Sequence, residues 1–261
     1  MSAKAGADLR PERLFGLEGR VAVLTGASSG LGVAFAEALH AAGATVVITA
    51  RRADRLAQLA VGRPRLDPVG CDVSDADQLR ELVAGVAERH GRIDILVNNA
   101  GNGGPGRPAQ FETDVDTDRL LEVNLRAPLR LCRLAFPVMR RTGGAVVNVT
   151  SISGLVGVGE IPQASYVASK HALTGLTREL ALEWARFGIR VNALAPGFFA
   201  TEMTRLLYDD DRRRQWIVAN TPLPAFAEPA QAVGALLLLA SDAGSYITGQ
   251  TIAVDGGWTA R

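Results

Sequence analysis

The sequence predicts an α/β protein, a doubly wound seven-stranded parallel sheet with helices on both faces, and three observations carry that prediction. Short β-branched runs alternate with longer segments of helical period along the chain. The first run leads directly into a glycine-rich turn that opens a helix. No apolar stretch approaches the roughly 18 residues of a membrane span.

In chain order, the strand Arg20–Thr25 precedes a helix over Leu31–Ala42, and Thr45–Thr49 precedes one over Asp54–Ala60. Val69–Asp72 leads to a helix over Asp75–His90, and Ile93–Asn98 to a helix that reaches Arg141. Ala145–Thr150 then precedes a helix over Ser165–Phe187. Ile189–Ala195 and Thr251–Asp255 complete the strands, the last after an apolar helix over Pro229–Ala240. Such β-α-β alternation implies a parallel sheet covered on both faces.

Two stretches read as irregular, Asn102–Pro108 and Pro196–Glu228. Compact domains seldom hold long structureless connections without a functional reason. The second leaves a strand at its carboxyl end, where ligands bind in open α/β sheets, so residues 197–228 are expected to form a substrate lid. Residues 1–16 are polar and expected to be a flexible tail. With 261 residues, 48% of them hydrophobic, the remainder from 17 to 261 can bury the core of a single domain.

A formal charge of +1, from 28 basic and 27 acidic residues spread along the chain, leaves no footprint for nucleic acid or an anionic membrane. Small molecules are the expected partners. Cys71 and Cys132 lie far apart, without the spacing of a disulfide framework or zinc cluster, which suits a reducing compartment. The polar N-terminus lacks an apolar core of signal-peptide length, so a cytoplasmic location is expected, and no metal is. Only two lysines occur, Lys4 and Lys170, so arginine fills nearly every other basic position. Lysine is a compact point charge where arginine is a forked, permanent one, which hints that position 170 requires an amine.

The turn Thr25-Gly26-Ala27-Ser28-Ser29-Gly30-Leu31-Gly32 follows the first strand with the spacing G-x-x-x-G-x-G. Glycines allow positive φ and close backbone approach, so a pyrophosphate can rest on the N–H groups at the positive end of the helix. The same residues also satisfy G-x-S-x-G, the nucleophile elbow of a serine hydrolase. That elbow normally lies later in the sheet and is followed by an acid and then a histidine. At the end of the second strand stands Ala50-Arg51-Arg52. A carboxylate there would hold the ribose of NAD, whereas arginine accepts the 2′-phosphate of NADP. Arg51 is the expected main contact and Arg52 a second one, predicting NADP(H), with NAD(H) as the alternative. Asp72, after the third strand, either bonds the adenine amino group or caps a turn.

Tyr166 and Lys170 are one helical turn apart and share a face, with Ser151 at the preceding strand-to-helix junction. An ammonium beside a phenol favours the phenolate, so the pair is expected to lower the tyrosine pKa from its ordinary value near 10.

These motifs together make the chain resemble the short-chain dehydrogenase/reductase family from Leu17 to Trp258, nearly its whole length. The cofactor motif of that family resembles Thr25, Gly26, Gly30 and Gly32, and its N-N-A-G motif resembles Asn98-Asn99-Ala100-Gly101. Its catalytic asparagine matches Asn124, and its active-site signature matches Tyr166-Val167-Ala168-Ser169-Lys170.

The resemblance implies a Rossmann fold and hydride transfer between an alcohol or ketone and a nicotinamide cofactor. It implies Tyr166 as general acid or base, Lys170 on tyrosine and cofactor ribose, Ser151 on the substrate carbonyl and Asn124 in a proton relay. The implied cofactor contacts are the turn from Thr25 to Gly32 (with Ser28, Ser29 and Leu31), Arg51, Arg52, Asp72, Val73, Asn99, Ala100, Gly101, Pro196, Gly197, Phe199 and Thr201. Ser153, Phe198, Met203 and Trp216 are candidate substrate contacts. The family's usual spacing would select Ser153 as catalytic serine, whereas the local frame Ser151-Ile152-Ser153-Gly154 favours Ser151. The C-terminal run Ile247–Trp258 resembles members that form homotetramers. A cofactor-binding sensor without turnover is the alternative from another class.

Overall fold

In the computed structural model, which describes residues 9–260, the seven strands form one parallel sheet. The strands are β1 (Val21–Thr25), β2 (Thr45–Ala50), β3 (Leu66–Gly70), β4 (Ile95–Asn98), β5 (Gly144–Val149), β6 (Ile189–Pro196) and β7 (Thr251–Val254). The α-helices up to the active-site segment are α1 (Pro11–Leu14), α2 (Leu31–Ala41), α3 (Ala53–Ala60), α4 (Ala76–His90), α5 (Asp114–Leu121), α6 (Ala127–Met139) and α7 (Ala164–Trp184). The spatial order of the strands is 3-2-1-4-5-6-7, so the chain reverses direction across the sheet between β1 and β4. In such sheets the crevice at that switch point binds the ligand.

The register follows from burial. All five residues of β1 are buried, and alternate side chains enter opposite cores. Ala22 and Leu24 pack with Phe35 and Leu39 of α2 and, further along the same core, Leu236 and Leu239. Val21 and Val23 join the other core, built on α4 and on later helices that supply Leu131 and Leu180.

Three expectations are corrected. The third strand runs Leu66–Gly70, not Val69–Asp72. Pro68 lies within it, and the position is tolerable because β3 is an edge strand paired with β2 alone. The helix expected to reach Arg141 is two helices, α5 and α6, joined by a wider π-type turn over Glu122–Arg126. The stretch expected to form a lid, residues 197–228, is not structureless: helices α8 and α9 span Arg205–Asp209 and Asp211–Asn220, the second capped by the Asp210 carboxylate on the Arg213 amide at 3.0 Å. Of the expected N-terminal tail, residues 1–8 lie outside the described residues, and α1 forms one helical turn.

The lid carries its own small core. Phe198, Trp216, Phe226 and Trp258 pack with Ile152, Ile161 and Ile217. Ring centroids are 5.0 Å apart for Phe198–Trp258 and 5.1 Å for Trp216–Trp258. The neck of the lid is closed by backbone bonds, Ala200 N to Ala227 O at 2.9 Å and Ala227 N to Phe198 O at 3.0 Å. No helix among the described residues is long and apolar enough to cross a membrane.

Candidate active site

The glycine turn sits between β1 and α2 at the carboxyl edge of the sheet. Gly26 and Gly30 have φ of 70° and 54°, and a Cβ at Gly32 would stand 2.1 Å from the Gly26 carbonyl oxygen. Glycine is therefore required for the turn to close on its helix. No side chain caps the start of α2, and among its first amides Gly32 donates to the Ser29 carbonyl at 3.1 Å, so the positive end of the helix faces the turn without an acidic or hydroxyl cap and suits an anion.

Thr25 and Asn99 stitch the first and fourth strands together. The Thr25 hydroxyl accepts from the amides of Asn99 and Ala100, both at 3.0 Å, and the Asn99 amide group donates to Thr25 O at 2.9 Å. The N-N-A-G segment thus lies against the glycine turn. Asp72 accepts from the Ser74 amide and hydroxyl at 3.0 and 2.7 Å, the turn-capping arrangement, and Val73 is buried in the core.

Arg52 reaches back over the turn. Its guanidinium donates to Ser28 Oγ at 3.1 Å and Ser29 Oγ at 2.9 Å, while Arg51 is exposed. Two hydroxyls and a guanidinium make a donor set suited to a phosphate. Together with the uncapped helix and the glycine approach, this cradle fits the phosphates of a nicotinamide dinucleotide.

Ser28 does not behave as a hydrolase nucleophile. Its hydroxyl is held by Arg52, and the histidines lie elsewhere: His90 near Asp67 and His171 against the Val167 carbonyl of its own helix. His40 sits near the end of α2. Among the described residues no cluster of potential metal ligands occurs.

Beyond β5, Ser151 lies at the start of the turn that leads to α7, which carries Tyr166 and Lys170. The Ser151 hydroxyl lies near enough to the Tyr166 phenol to act on its ionisation. It also accepts from the Ser153 amide at 3.1 Å. Ser153 is buried, and its hydroxyl accepts from Gln163 at 3.0 Å. Lys170 is buried with its ammonium 5.6 Å from the Tyr166 ring centroid, donating to the Val149 carbonyl at 3.0 Å.

The electrostatics differ from expectation. Burial pushes the Tyr166 pKa upward, and the neighbouring Ser151 hydroxyl pulls it partly back. Burial also lowers Lys170 to about 8. Among the protein's own groups, desolvation is the largest influence on the phenol, and the group that opposes it is Ser151, not the Lys170 ammonium.

Asn124 lies in the π-type turn and is fully buried. Its Oδ1 accepts from the Asn102 amide at 2.8 Å, and its Nδ2 donates to Asn102 O at 2.9 Å and Ser169 Oγ at 3.2 Å. Ser169 in turn donates to the Tyr166 carbonyl at 2.7 Å. A Cβ on Gly101 would lie 3.7 Å from both Asn124 Oδ1 and Lys170 Nζ, so the N-N-A-G segment also borders this cluster.

On the lid, Pro196 ends β6, and Gly197 is packed so tightly on Asp255 that a Cβ would lie 2.8 Å from its Cα. Thr201 covers Gly30, and Met203 covers Gly103. Phe199, expected among the cofactor contacts, has its side chain in the main core, because the neck of the lid folds it inward. Phe198 and Trp216, candidate substrate contacts, are partly buried and pack in the small core of the lid. Sequence reasoning missed Ser169, Gln163 and Glu202. Ser169 had a usable signal, since it lies one turn after Tyr166 on the same helix; the other two reach their partners only through the folded lid and loop.

A family profile described as enoyl-(acyl carrier protein) reductase matches residues 26–259. The chain is 39% identical to a 3-oxoacyl-[acyl-carrier-protein] reductase of Thermotoga maritima, over 92% of this chain and 98% of that one. It is also 39% identical to galactitol 2-dehydrogenase of Rhizobium johnstonii, over 95% and 98%. The crystal structure of a gluconate 5-dehydrogenase from Burkholderia cenocepacia in complex with NADP and tartrate is similar at a TM-score of 0.91. Its sequence identity is 34%, covering 97% of this chain and 100% of that one. The Rossmann sheet, the glycine turn and these relatives agree: the chain is an oxidoreductase that belongs to the short-chain dehydrogenase/reductase family.

Proposed function

We propose that the chain interconverts a secondary alcohol and a ketone with NADP(H) as preferred cofactor, Tyr166 serving as general acid in reduction and base in oxidation. The observation that supports this best is the grouping of Ser151, Tyr166, Lys170 and Asn124 at the carboxyl end of the sheet, against the N-N-A-G segment.

The glycine turn and α2 would hold the pyrophosphate, Arg51 and Arg52 with Ser28 and Ser29 the 2′-phosphate, and Lys170 the nicotinamide ribose. When bound, the nicotinamide supplies or accepts the hydride. Ser151 would hydrogen-bond the substrate oxygen and so polarise the carbonyl. Tyr166 would deliver a proton to the same oxygen as it gains charge. Its raised pKa keeps the phenol protonated near neutral pH, the form that a general acid for carbonyl reduction requires. Asn124 keeps the segment around Asn102 in place beside them. The lid residues Thr201 and Met203 would close the groove and exclude water.

Polyols and keto-sugar acids are the first substrate class to screen, with 3-oxoacyl thioesters next, in line with the names of the relatives. By the same family resemblance the protein assembles as a homotetramer, which sedimentation would test.

The test is the absorbance of reduced nicotinamide across a panel of ketones and alcohols. Turnover with at least one, greater with NADPH than with NADH, supports the proposal. Tight nucleotide binding without turnover on any compound would point to the sensor instead. Arg51→Asp should remove the preference for NADPH; equal affinity for both nucleotides in the unmodified protein would sink the cofactor assignment.

A further inference from the structure

Glu202 stands at the leading edge of the lid, between Thr201 on Gly30 and Met203 on Gly103. Its carboxylate engages two arginines beside the glycine turn. One oxygen accepts from Arg52 at 3.0 Å and the other from Arg55 at 2.5 Å. Arg52 is the same guanidinium that holds Ser28 and Ser29 of the glycine turn. The carboxylate therefore shares the guanidinium of the donor set assigned above to a phosphate. The Arg55 and Arg52 bonds hold its pKa down to about 2, so it remains an anion throughout the working range.

We propose that Glu202 is a built-in competitor for the 2′-phosphate subsite, a lid carboxylate that occupies Arg52 until the 2′-phosphate of NADP(H) displaces it. This rests on the cofactor reading given above. The chemistry makes displacement feasible. Glu202 and Arg52 are each about half exposed, at 55% and 40% of the side chain, and exposed ion pairs are weak. A phosphate carries more charge than a carboxylate and offers more acceptor oxygens to the same fork of donors. NAD(H), which has no 2′-phosphate, leaves the Glu202 pair intact and has nothing to displace.

Glu202 thereby sets how strongly the protein discriminates between the two nucleotides. It weakens the phosphorylated one selectively, and it couples occupancy of the adenosine end of the groove to the first residues of the lid. Removing the carboxylate should raise the discrimination rather than lower it, the opposite of the effect of deleting a ligand-binding residue.

The test compares unmodified protein, Glu202→Gln and Arg52→Ala by calorimetric titration with 2′,5′-ADP and 5′-AMP, then with NADPH and NADH. These probes differ at the 2′-phosphate, and the first pair needs no catalysis. Glu202→Gln should tighten 2′,5′-ADP and NADPH by about two- to fivefold, the scale of an exposed ion pair, and leave 5′-AMP and NADH unchanged. Arg52→Ala should weaken 2′,5′-ADP and abolish the effect of Glu202→Gln in the double variant. Unchanged or weaker 2′,5′-ADP binding in Glu202→Gln, with the Arg52→Ala loss intact, overturns the competition while sparing the cofactor reading. Equal tightening of 5′-AMP and 2′,5′-ADP also overturns it, because the effect is then not at the 2′-phosphate. If Arg52→Ala leaves 2′,5′-ADP binding unchanged, the assignment of the phosphate to Arg52 fails first.

Discussion

Asn124 grips the backbone of Asn102 with both ends of its amide, accepting from its N–H at 2.8 Å and donating to its carbonyl at 2.9 Å. The pairing fastens the loop after β4 to the middle of the helix pair beyond it. The π-type turn is what points this side chain inward, since such a turn inserts a residue and rotates the helix face locally. Asn124→Ala would take both partners from the partly buried Asn102 backbone and leave the Ser169 hydroxyl with its bond to the Tyr166 carbonyl alone. A loss of about 2 to 3 kcal/mol in stability is expected, with faster proteolysis at residues 102–108. Urea denaturation with unchanged midpoint would contradict this.

Ser151 and Ser153 should separate cleanly under mutation. Ser151→Ala removes the hydroxyl beside the Tyr166 phenol and should lower kcat by about a hundredfold or more, the scale of one positioned donor, with nucleotide affinity retained. Ser153→Ala loses only its bond from Gln163 and should change KM more than kcat. The reverse pattern would reassign the catalytic serine.

Tyr166 predicts a directional pH profile. Its raised pKa means that the phenol is protonated below that value and phenolate accumulates only above it. Ketone reduction should therefore be flat through neutral pH and decline on the alkaline side, while alcohol oxidation should climb with pH over the same alkaline range. Tyr166→Phe should remove both, by about a hundredfold to ten-thousandfold, at little cost to nucleotide binding. An oxidation rate that saturates below neutral pH would show that the phenol is lowered, not raised.

Lys170 should weaken the cofactor-free fold. A lysine whose pKa falls from an ordinary 10.5 to about 8 binds fewer protons folded than unfolded between those values, so its contribution becomes less unfavourable as pH rises through that window. Lys170→Met should accordingly be more stable than the unmodified protein at pH 7, by about 3 kcal/mol at most, and the difference should shrink toward pH 10.5. Denaturant midpoints at several pH values measure this. A constant difference between the two proteins would rule out charge burial as its cause.

Much of this architecture is visible in the chain itself. Buried parallel strands announce themselves as short apolar runs, and Gly26, Gly30 and Gly32 mark the turn because no other residue fits there. Tyr166 and Lys170 are legible from helical spacing, and the family motifs supply Asn124. Other features depend on contacts distant in sequence. The edge position of β3 makes Pro68 acceptable, but nothing local to Pro68 states that the strand is an edge. Helix α9 is strongly polar and lacks a clear apolar stripe, α8 is little more than one turn, and Phe198 and Trp216 both pack on Trp258, which arrives from the far end of the chain. The upward pull on Tyr166 is a property of burial, which motif spacing does not encode.

The scarcity of lysine has a practical side. With Lys4 and Lys170 as the only side-chain amines, an acylating reagent meets an almost amine-free surface, and the buried amine at position 170, with its pKa near 8, is neutral far more often than an ordinary lysine. With so few competing amines, the rate at which Lys170 itself is modified, followed at that residue by peptide mass spectrometry, reports whether the groove around it is open or filled.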